Sequence, residues 1–300
     1  MTSVPRILVT IPHYYSATGD RRYGSTYQQP PARAEALSRA VASLHQSLGT
    51  RQSILHFETR TTHPANHWSW AEIDIVVVTA GDAHLIDHLS VPGDLYTHER
   101  TSIDNPLLLG FECHRVLRDR FGTYDWYAYM EDDLIIQDPL FLLKLEWFLA
   151  NCGEKRLLLP NRFELSACHD MHKAYIDGDF TDSALRALYP KGRLEKVEAA
   201  FLGRPLVLEL ALNPHAGMFF LSAGQMGAWA AAPHFLDRDI SFIGPLESAA
   251  TYGMLRTFHV FKPHLDNASF LEVLHAGEHF LSSIGEAFTV TANPPPRAPV

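Results

Sequence analysis

A chain of 300 residues, 46% hydrophobic and 20% charged, holds enough apolar material for one large globular domain or two modest ones. Its formal net charge of −9 excludes a protein built to grip nucleic acid on a broad basic face, while leaving room for a local groove that takes one diphosphate. Three cysteines (Cys113, Cys152 and Cys168), odd in number and without paired spacing, exclude a disulfide framework or a zinc site and fit a reducing cytosol.

Residues 7–11 are a β-branched run stopped by Pro12 and predict a buried first strand. The stretch from 13 to 31, rich in Tyr, Gly, Ser and Arg, predicts a long functional loop. Leu37, Val41, Leu44 and Leu48 recur at helical spacing over residues 32–48, and Gly49 is a natural stop. Residues 53–57 and 73–79 are the next predicted strands. Asn105-Pro106 places an N-cap residue before a proline and opens a helix with Leu109, Cys113, Val116 and Leu117 on one face.

The most informative stretch follows, Trp126 to Ile136. A short apolar strand runs straight into Glu131-Asp132-Asp133, and an apolar triplet returns the chain to the core. Acids beside a core are costly unless a cation neutralises them, and hard oxygen ligands suit Mg²⁺ or Mn²⁺. A polar turn after a strand is the plainer alternative. Asp138-Pro139 then repeats the cap for a helix to about residue 150. This βαβα order predicts an α/β fold with a doubly wound, mostly parallel sheet, in which ligands bind beyond the carboxyl ends of the strands. Both His13-Tyr14-Tyr15 and the acidic triplet lie there.

In the second half, residues 157–159 are a strand stopped by Pro160. The stretch 161–205 is polar and reads as irregular, with a short helix around 184–188. Residues 207–210 and 218–221 are strands bracketing Asn213-Pro214-His215-Ala216-Gly217. Ser222 and Gln225 have the spacing of a capping box for a helix towards Ala232. Gly244-Pro245 opens another helix with Glu247 in its first turn. No shift in composition divides the chain, so residues 1–293 read as one domain, and the proline-rich 294–300 as an extended, disordered tail. No run reads as a signal or membrane helix, so the expectation is a cytoplasmic chain without an integral membrane segment.

In this order, the strand ending at Pro12, the acidic triplet, the run Gly217-Met218-Phe219-Phe220-Leu221-Ser222, Glu247 and a late group of histidines make a recognisable pattern. The chain resembles glycosyltransferases of the GT-A fold, with Glu131-Asp132-Asp133 similar to their DXD element. The resemblance implies a nucleotide-sugar side over residues 1–150 and an acceptor and catalytic side over 151–293. It implies Mn²⁺ or Mg²⁺ as cofactor, with Asp133 as direct ligand. Glu131 would assist at the metal and Asp132 would touch ribose or sugar. Among His264, His275 and His279, His275 is preferred as a further ligand because it sits beside Gly277 in an expected loop. Gly217 would floor the sugar pocket, and Glu247 would be the base that takes the acceptor proton. An acid that merely favours a helix start, by ~0.3–1 kcal/mol, is the alternative for Glu247. In a retaining enzyme the same carboxylate would instead stabilise an oxocarbenium-like state.

Pro12, His13, Tyr14 and Tyr15 are the expected nucleotide seat, with Tyr14 or Tyr15 stacking on the base. Arg100 and the pair Arg21-Arg22 are candidates for diphosphate contacts. The acceptor falls to residues 161–205, through Arg162, Glu164, Tyr175, Asp177 and Asp179. Cys168-His169-Asp170-Met171-His172 is read as no metal site, since the spacing gives no fourth ligand. The expected partners are a nucleotide-diphosphate sugar, a UDP-sugar slightly favoured, and a carbohydrate or glycolipid acceptor, the latter met at the membrane surface. Nucleic acid is not expected. A nucleotidyltransferase that makes the nucleotide sugar, or a non-catalytic carbohydrate-binding protein, are the competing readings.

Overall fold

The computed structural model describes residues 4–17, 29–181 and 195–290. Strand β1 (Arg6–His13) leads to helix α1 (Pro30–Leu48), a hairpin of β2 (Ser53–His56) and β3 (Thr61–Pro64), then β4 (Glu72–Ala80) and β5 (Thr97–Thr101). Helix α2 (Leu109–Asp119) precedes β6 (Trp126–Met130) and the two-residue β7 (Leu134–Ile135). Helix α3 (Phe141–Cys152) and β8 (Arg156–Leu158) close the first half. The second half contributes β9 (Asn161–Leu165), β10 (Lys173–Tyr175), β11 (Lys196–Phe201), β12 (Arg204–Leu210) and β13 (Met218–Ser222). Helix α4 (Ala223–Ala230), β14 (His259–Pro263) and β15 (Glu272–His275) follow.

The central sheet has the order β13-β6-β1-β4-β5. Strands β6, β1, β4 and β5 run parallel, and β13 joins β6 antiparallel. Side chains alternate across it. Ile7, Val9, Ile11 and Val77 face Leu37 and Leu44 of α1 and Phe148 of α3. Leu8, Val76, Tyr127 and Phe219 face Val116 of α2 and Trp229 of α4. Both faces are therefore covered, which is why these strands read as unbroken apolar runs rather than as alternating ones. The protein is a mixed α/β fold with parallel strands at its centre. Two side sheets flank it, β10-β9-β15-β7 and β11-β12-β14-β8. Among the described residues no helix is long and apolar enough to cross a membrane.

Several elements differ from the sequence expectation. The run at 53–57 is a strand, but in a separate hairpin with every residue of β2 and β3 exposed, not a layer of the main sheet. Strand β5 was not foreseen because Thr-His-Glu-Arg-Thr has no apolar run, a composition that suits a sheet edge. The stretch 161–205 is not simply irregular, since it carries β9, β10 and β11. Strand β9 pairs with β15, more than 100 positions away, while β10 is only three residues long and β11 is a half-buried arm of a local hairpin with β12, so none makes a long apolar run. Strands β14 and β15 of the C-terminal third are short and take partners distant in sequence, so they too give little local signal. The helix expected at 184–188, the pair Arg21-Arg22 and the tail at 294–300 lie outside the described residues.

The capping box formed as its spacing predicts. Ser222 Oγ accepts from the Gln225 amide at 3.1 Å, and Gln225 Oε1 accepts from the Ser222 amide at 3.1 Å. Gln225 Nε2 also donates to the Arg156 carbonyl at 2.9 Å, tying α4 to β8. Ser222→Ala should lower stability by about 1 kcal/mol in urea denaturation, the usual cost of losing such a cap.

Candidate active site

At the end of β6 the chain turns sharply. The Glu131 amide donates to the Gly217 carbonyl at 2.9 Å, and the Leu134 amide to the Glu131 carbonyl at 3.3 Å. The three acids therefore leave the sheet at its carboxyl edge and point in different directions. Asp132 points inward and is 6% exposed. Arg33 Nη2 donates to its two oxygens at 2.5 and 2.6 Å, and His13 Nδ1 donates to Oδ2 at 2.6 Å. The Leu85 amide donates to His13 Nε2 at 3.1 Å, so both ring nitrogens are taken and the proton sits on Nδ1. Burial pushes the Asp132 carboxyl up, but Arg33 and the His13 bond outweigh it and hold it at about 2. Asp132 and His13 thus spend their polar atoms on each other, on Arg33 and on the Leu85 amide, clamping β1, α1 and the acidic turn together. Pro12 is buried beside them.

The other two acids face a common space. Asp133 Oδ2 accepts from Arg33 Nη1 at 3.2 Å, while its Oδ1 is sealed from solvent without a partner. Glu131 Oε1 is sealed in the same way. His275 is the last residue of β15, not a loop residue as expected from Gly277. Its Nε2 lies 3.8 Å from Asp133 Oδ2, and its Nδ1 donates to Glu164 Oε1 at 2.9 Å. Glu164 is fully buried, and its second oxygen accepts from the Phe280 and Leu281 amides at 2.9 and 2.7 Å. The imidazole is therefore held by a carboxylate behind it, with Nε2 turned towards Asp133. Burial lowers the His275 pKa, but the Glu164 bond and the charge of Asp133 raise it above its ordinary value.

Glu247 closes the space from the C-terminal half. It ends the helical turn Pro245–Glu247 and immediately precedes a π-helix, Ser248–Tyr252, a geometry frequent at functional sites. Its Oε2 is buried and unpartnered, as is the hydroxyl of Tyr129 on β6. Burial pushes Glu131 up to about 8, with Asp133 and Glu247 adding and Arg162 partly offsetting. Burial first, then the charge of Glu131, with smaller contributions that include Asp132 and Glu247, holds the Tyr129 phenol well above its usual range. Gly217 has φ of +63°, and a Cβ placed there would stand 2.7 Å from Glu131 Oε2. Only glycine lets the carboxylate approach the backbone so closely.

A second layer supports this space. Arg162 on β9 donates through Nε to Asp177 at 2.9 Å and pairs through Nη2 at 2.8 Å. Lys262 on β14 donates to the same carboxylate at 2.8 Å and to the His215 carbonyl at 2.5 Å. His215 Nδ1 bonds Thr251 Oγ1 at 3.1 Å, which reaches the π-helix behind Glu247. Arg162, Glu164 and Asp177 were expected to meet an acceptor. The structure spends Glu164 and Asp177 on internal bonds, and Tyr175 donates to Glu272 at 2.6 Å. Arg33 and Lys262 were missed, yet both leave a trace: a cation on the apolar stripe of α1 four residues before Leu37, and one within the apolar run of β14.

The nucleotide-side residues lie on the same rim but further along. The Tyr15 amide donates to the Ala83 carbonyl at 3.0 Å, and Tyr14 packs on the α2 layer. Nearby, the rings of His84 and His98 stand 4.8 Å apart, two residues that sequence patterns did not single out. Arg100 pairs with Asp82 at 2.6 Å on exposed surface. It sits on β5, three strands from β6, so ~14 Å of sheet separates it from the acids and it is not brought into their cluster. His264 accepts from the Asp266 amide and His279 packs on Phe280, so neither joins Asp133.

Among the described residues no three His, Cys, Asp or Glu side chains are grouped to hold a metal ion by themselves. Asp133 Oδ1 and Glu131 Oε1, sealed and unpartnered, and His275, whose Nε2 lies 3.8 Å from Asp133 Oδ2, are of the donor types that a hard divalent cation accepts. Neither a protein-family model nor a curated protein matches the chain.

Proposed function

We propose that the protein is a metal-dependent glycosyltransferase of the GT-A type, moving a sugar from a nucleotide-diphosphate sugar to a hydroxyl acceptor. One observation carries this reading. Glu131, Asp133 and Glu247 each present a buried oxygen without a partner, the first two just beyond the carboxyl end of β6, where Gly217 leaves room for Glu131, and the third on the turn Pro245–Glu247. Such groups are costly in a folded protein unless a ligand uses them. Mn²⁺ or Mg²⁺, held by Asp133 with His275 and assisted by Glu131, would supply charge neutralisation for the leaving diphosphate. The chain's own residues do the rest. Tyr14 and Tyr15 seat the base, Gly217 makes room for the Glu131 carboxylate at the floor of the sugar site, and Glu247 takes the acceptor proton.

The nucleotidyltransferase reading is disfavoured because Pro12-His13-Tyr14-Tyr15 follows β1 where a glycine-rich phosphate loop would be needed. A non-catalytic binding module would bind donor without turning it over. Release of nucleoside diphosphate from a panel of UDP-, GDP- and CDP-sugars, with Mn²⁺ or with a chelator, tests the proposal. One donor should turn over only with metal. No release from any donor, or equal release under chelation, would refute it.

The metal effect should depend on pH in a defined sense. An unfolded glutamate ionises near 4.3, whereas folded Glu131 keeps its proton to about 8. Between those values the native state binds more protons, so stability without metal falls as pH rises. A cation displaces that proton, so stabilisation by a fixed Mn²⁺ concentration should grow across this window, up to about tenfold in apparent affinity per pH unit. Thermal denaturation with and without Mn²⁺ reads this directly, and Glu131→Gln should flatten the response.

A further inference from the structure

Among the exposed apolar side chains of the described residues, two groups differ sharply in their place relative to the acids. One is the β2–β3 hairpin, where Ile54, Leu55 and Phe57 face water. It enters the start of β4 and so lies at the pole opposite the acids. The other borders Glu247. Ile240, Ile243 and Leu246 line the loop into the turn Pro245–Glu247 and are 41%, 65% and 40% exposed. Leu107, also exposed, stands on the turn Pro106–Leu108 that packs against Pro245–Glu247.

Ile243 has φ of +58°. A β-branched residue in the left-handed region is a genuine outlier, and glycine or asparagine there would avoid its cost of roughly 1–2 kcal/mol. The loop is nonetheless fixed. Phe242 is buried and stacks on Tyr252 with ring centroids 5.8 Å apart, and Ser248 Oγ bonds both its amide and its carbonyl. The chain thus holds a bulky apolar side chain out into water, rigidly, four residues before the carboxylate that would take the acceptor proton. Strain persisting at such a place points to a use.

We propose that the acceptor carries an alkyl chain beside its reacting hydroxyl, and that Leu107, Ile240, Ile243 and Leu246 form the lip that seats this chain. The proposal rests on the reading of Glu247 as the base and chooses a glycolipid-type acceptor over a purely hydroxylated one. A fully hydroxylated acceptor would leave the four side chains in water. An alkyl aglycone removes apolar surface from water on both sides of the contact.

The test is calorimetric titration of the full chain with matched octyl and methyl glycosides of glucose, galactose, mannose and N-acetylglucosamine, below micelle formation. For at least one sugar the octyl form should bind at least about tenfold tighter than the methyl form, since several methylenes leave water. Ile243→Gly combined with Leu246→Ser should abolish that preference; glycine is at ease at this φ, so folding is preserved. Phe57→Ser on the hairpin should leave it intact. Equal binding of the two forms for every sugar, a preference that survives in the lip variant, or one lost in Phe57→Ser would each overturn the proposal. Asp133→Ala keeps the two readings apart. An octyl preference that persists there supports the lip independently of the donor site. If wild-type protein shows the octyl preference but binds no nucleotide, the lip stands and the transferase reading falls.

Discussion

Glu247→Gln is expected to lower the rate of sugar transfer by about 10²–10⁴-fold, the range that a positioned general base contributes, while nucleotide binding is unchanged. The substitution keeps shape and removes only charge. It also removes a repulsion, because the Glu247 carboxylate helps push Glu131 up. Stability should therefore hold or rise, and a loss of rate cannot be blamed on unfolding. Transfer at the wild-type rate would strip Glu247 of its role and leave it as a residue favouring a helix start.

The largest effect on stability should come from Asp177→Ala. Asp177 is the shared partner of Arg162 and Lys262, both largely withdrawn from water. Truncating it removes the carboxylate that both buried cations bond directly, at a cost of about 3–5 kcal/mol. Against a typical total of about 5–15 kcal/mol this is close to loss of the fold at elevated temperature. Burial pushes the Asp177 carboxyl up, but Lys262 and Arg162 outweigh it and hold it well below the usual range. For a depressed acid the stabilisation is present above the unfolded value near 3.9 and is lost as pH falls through the folded one. Urea denaturation at neutral and acidic pH should find the deficit of the variant shrinking as pH drops. A cost below about 1 kcal/mol at neutral pH would mean that water reaches the two cations.

Much of the central layer was legible in the sequence, and the reason is physical. Strands β1, β4, β6 and β13 are covered on both faces, so each is a continuous apolar run, and α1 shows its stripe at 37, 41, 44 and 48. The placement of Glu131 to Asp133 beyond a strand end, and of Glu247 in a first turn, followed from the same local patterns. What stayed hidden depends on distant partners. That Asp132 turns inward is decided by Arg33, 99 positions away, and by His13 on β1. No local rule distinguishes the middle acid of the triplet from its neighbours. His275 was placed in a loop because Gly277 follows it, whereas β15 pairs with β7 and β9 across the fold. Strand β5 escaped notice because an edge strand is polar by design against aggregation.

The central claim is that Asp133 anchors a metal-bound nucleotide diphosphate, and thermal denaturation with UDP, GDP, CDP and their sugars tests it most directly. Each ligand is tried with and without Mn²⁺, on wild-type protein and on Asp133→Ala. At about a hundred times its dissociation constant a ligand adds roughly 2.7 kcal/mol, an easily measured shift. The account predicts a shift for one nucleotide that requires both Mn²⁺ and Asp133. A shift indifferent to either, or none with any nucleotide, would contradict it.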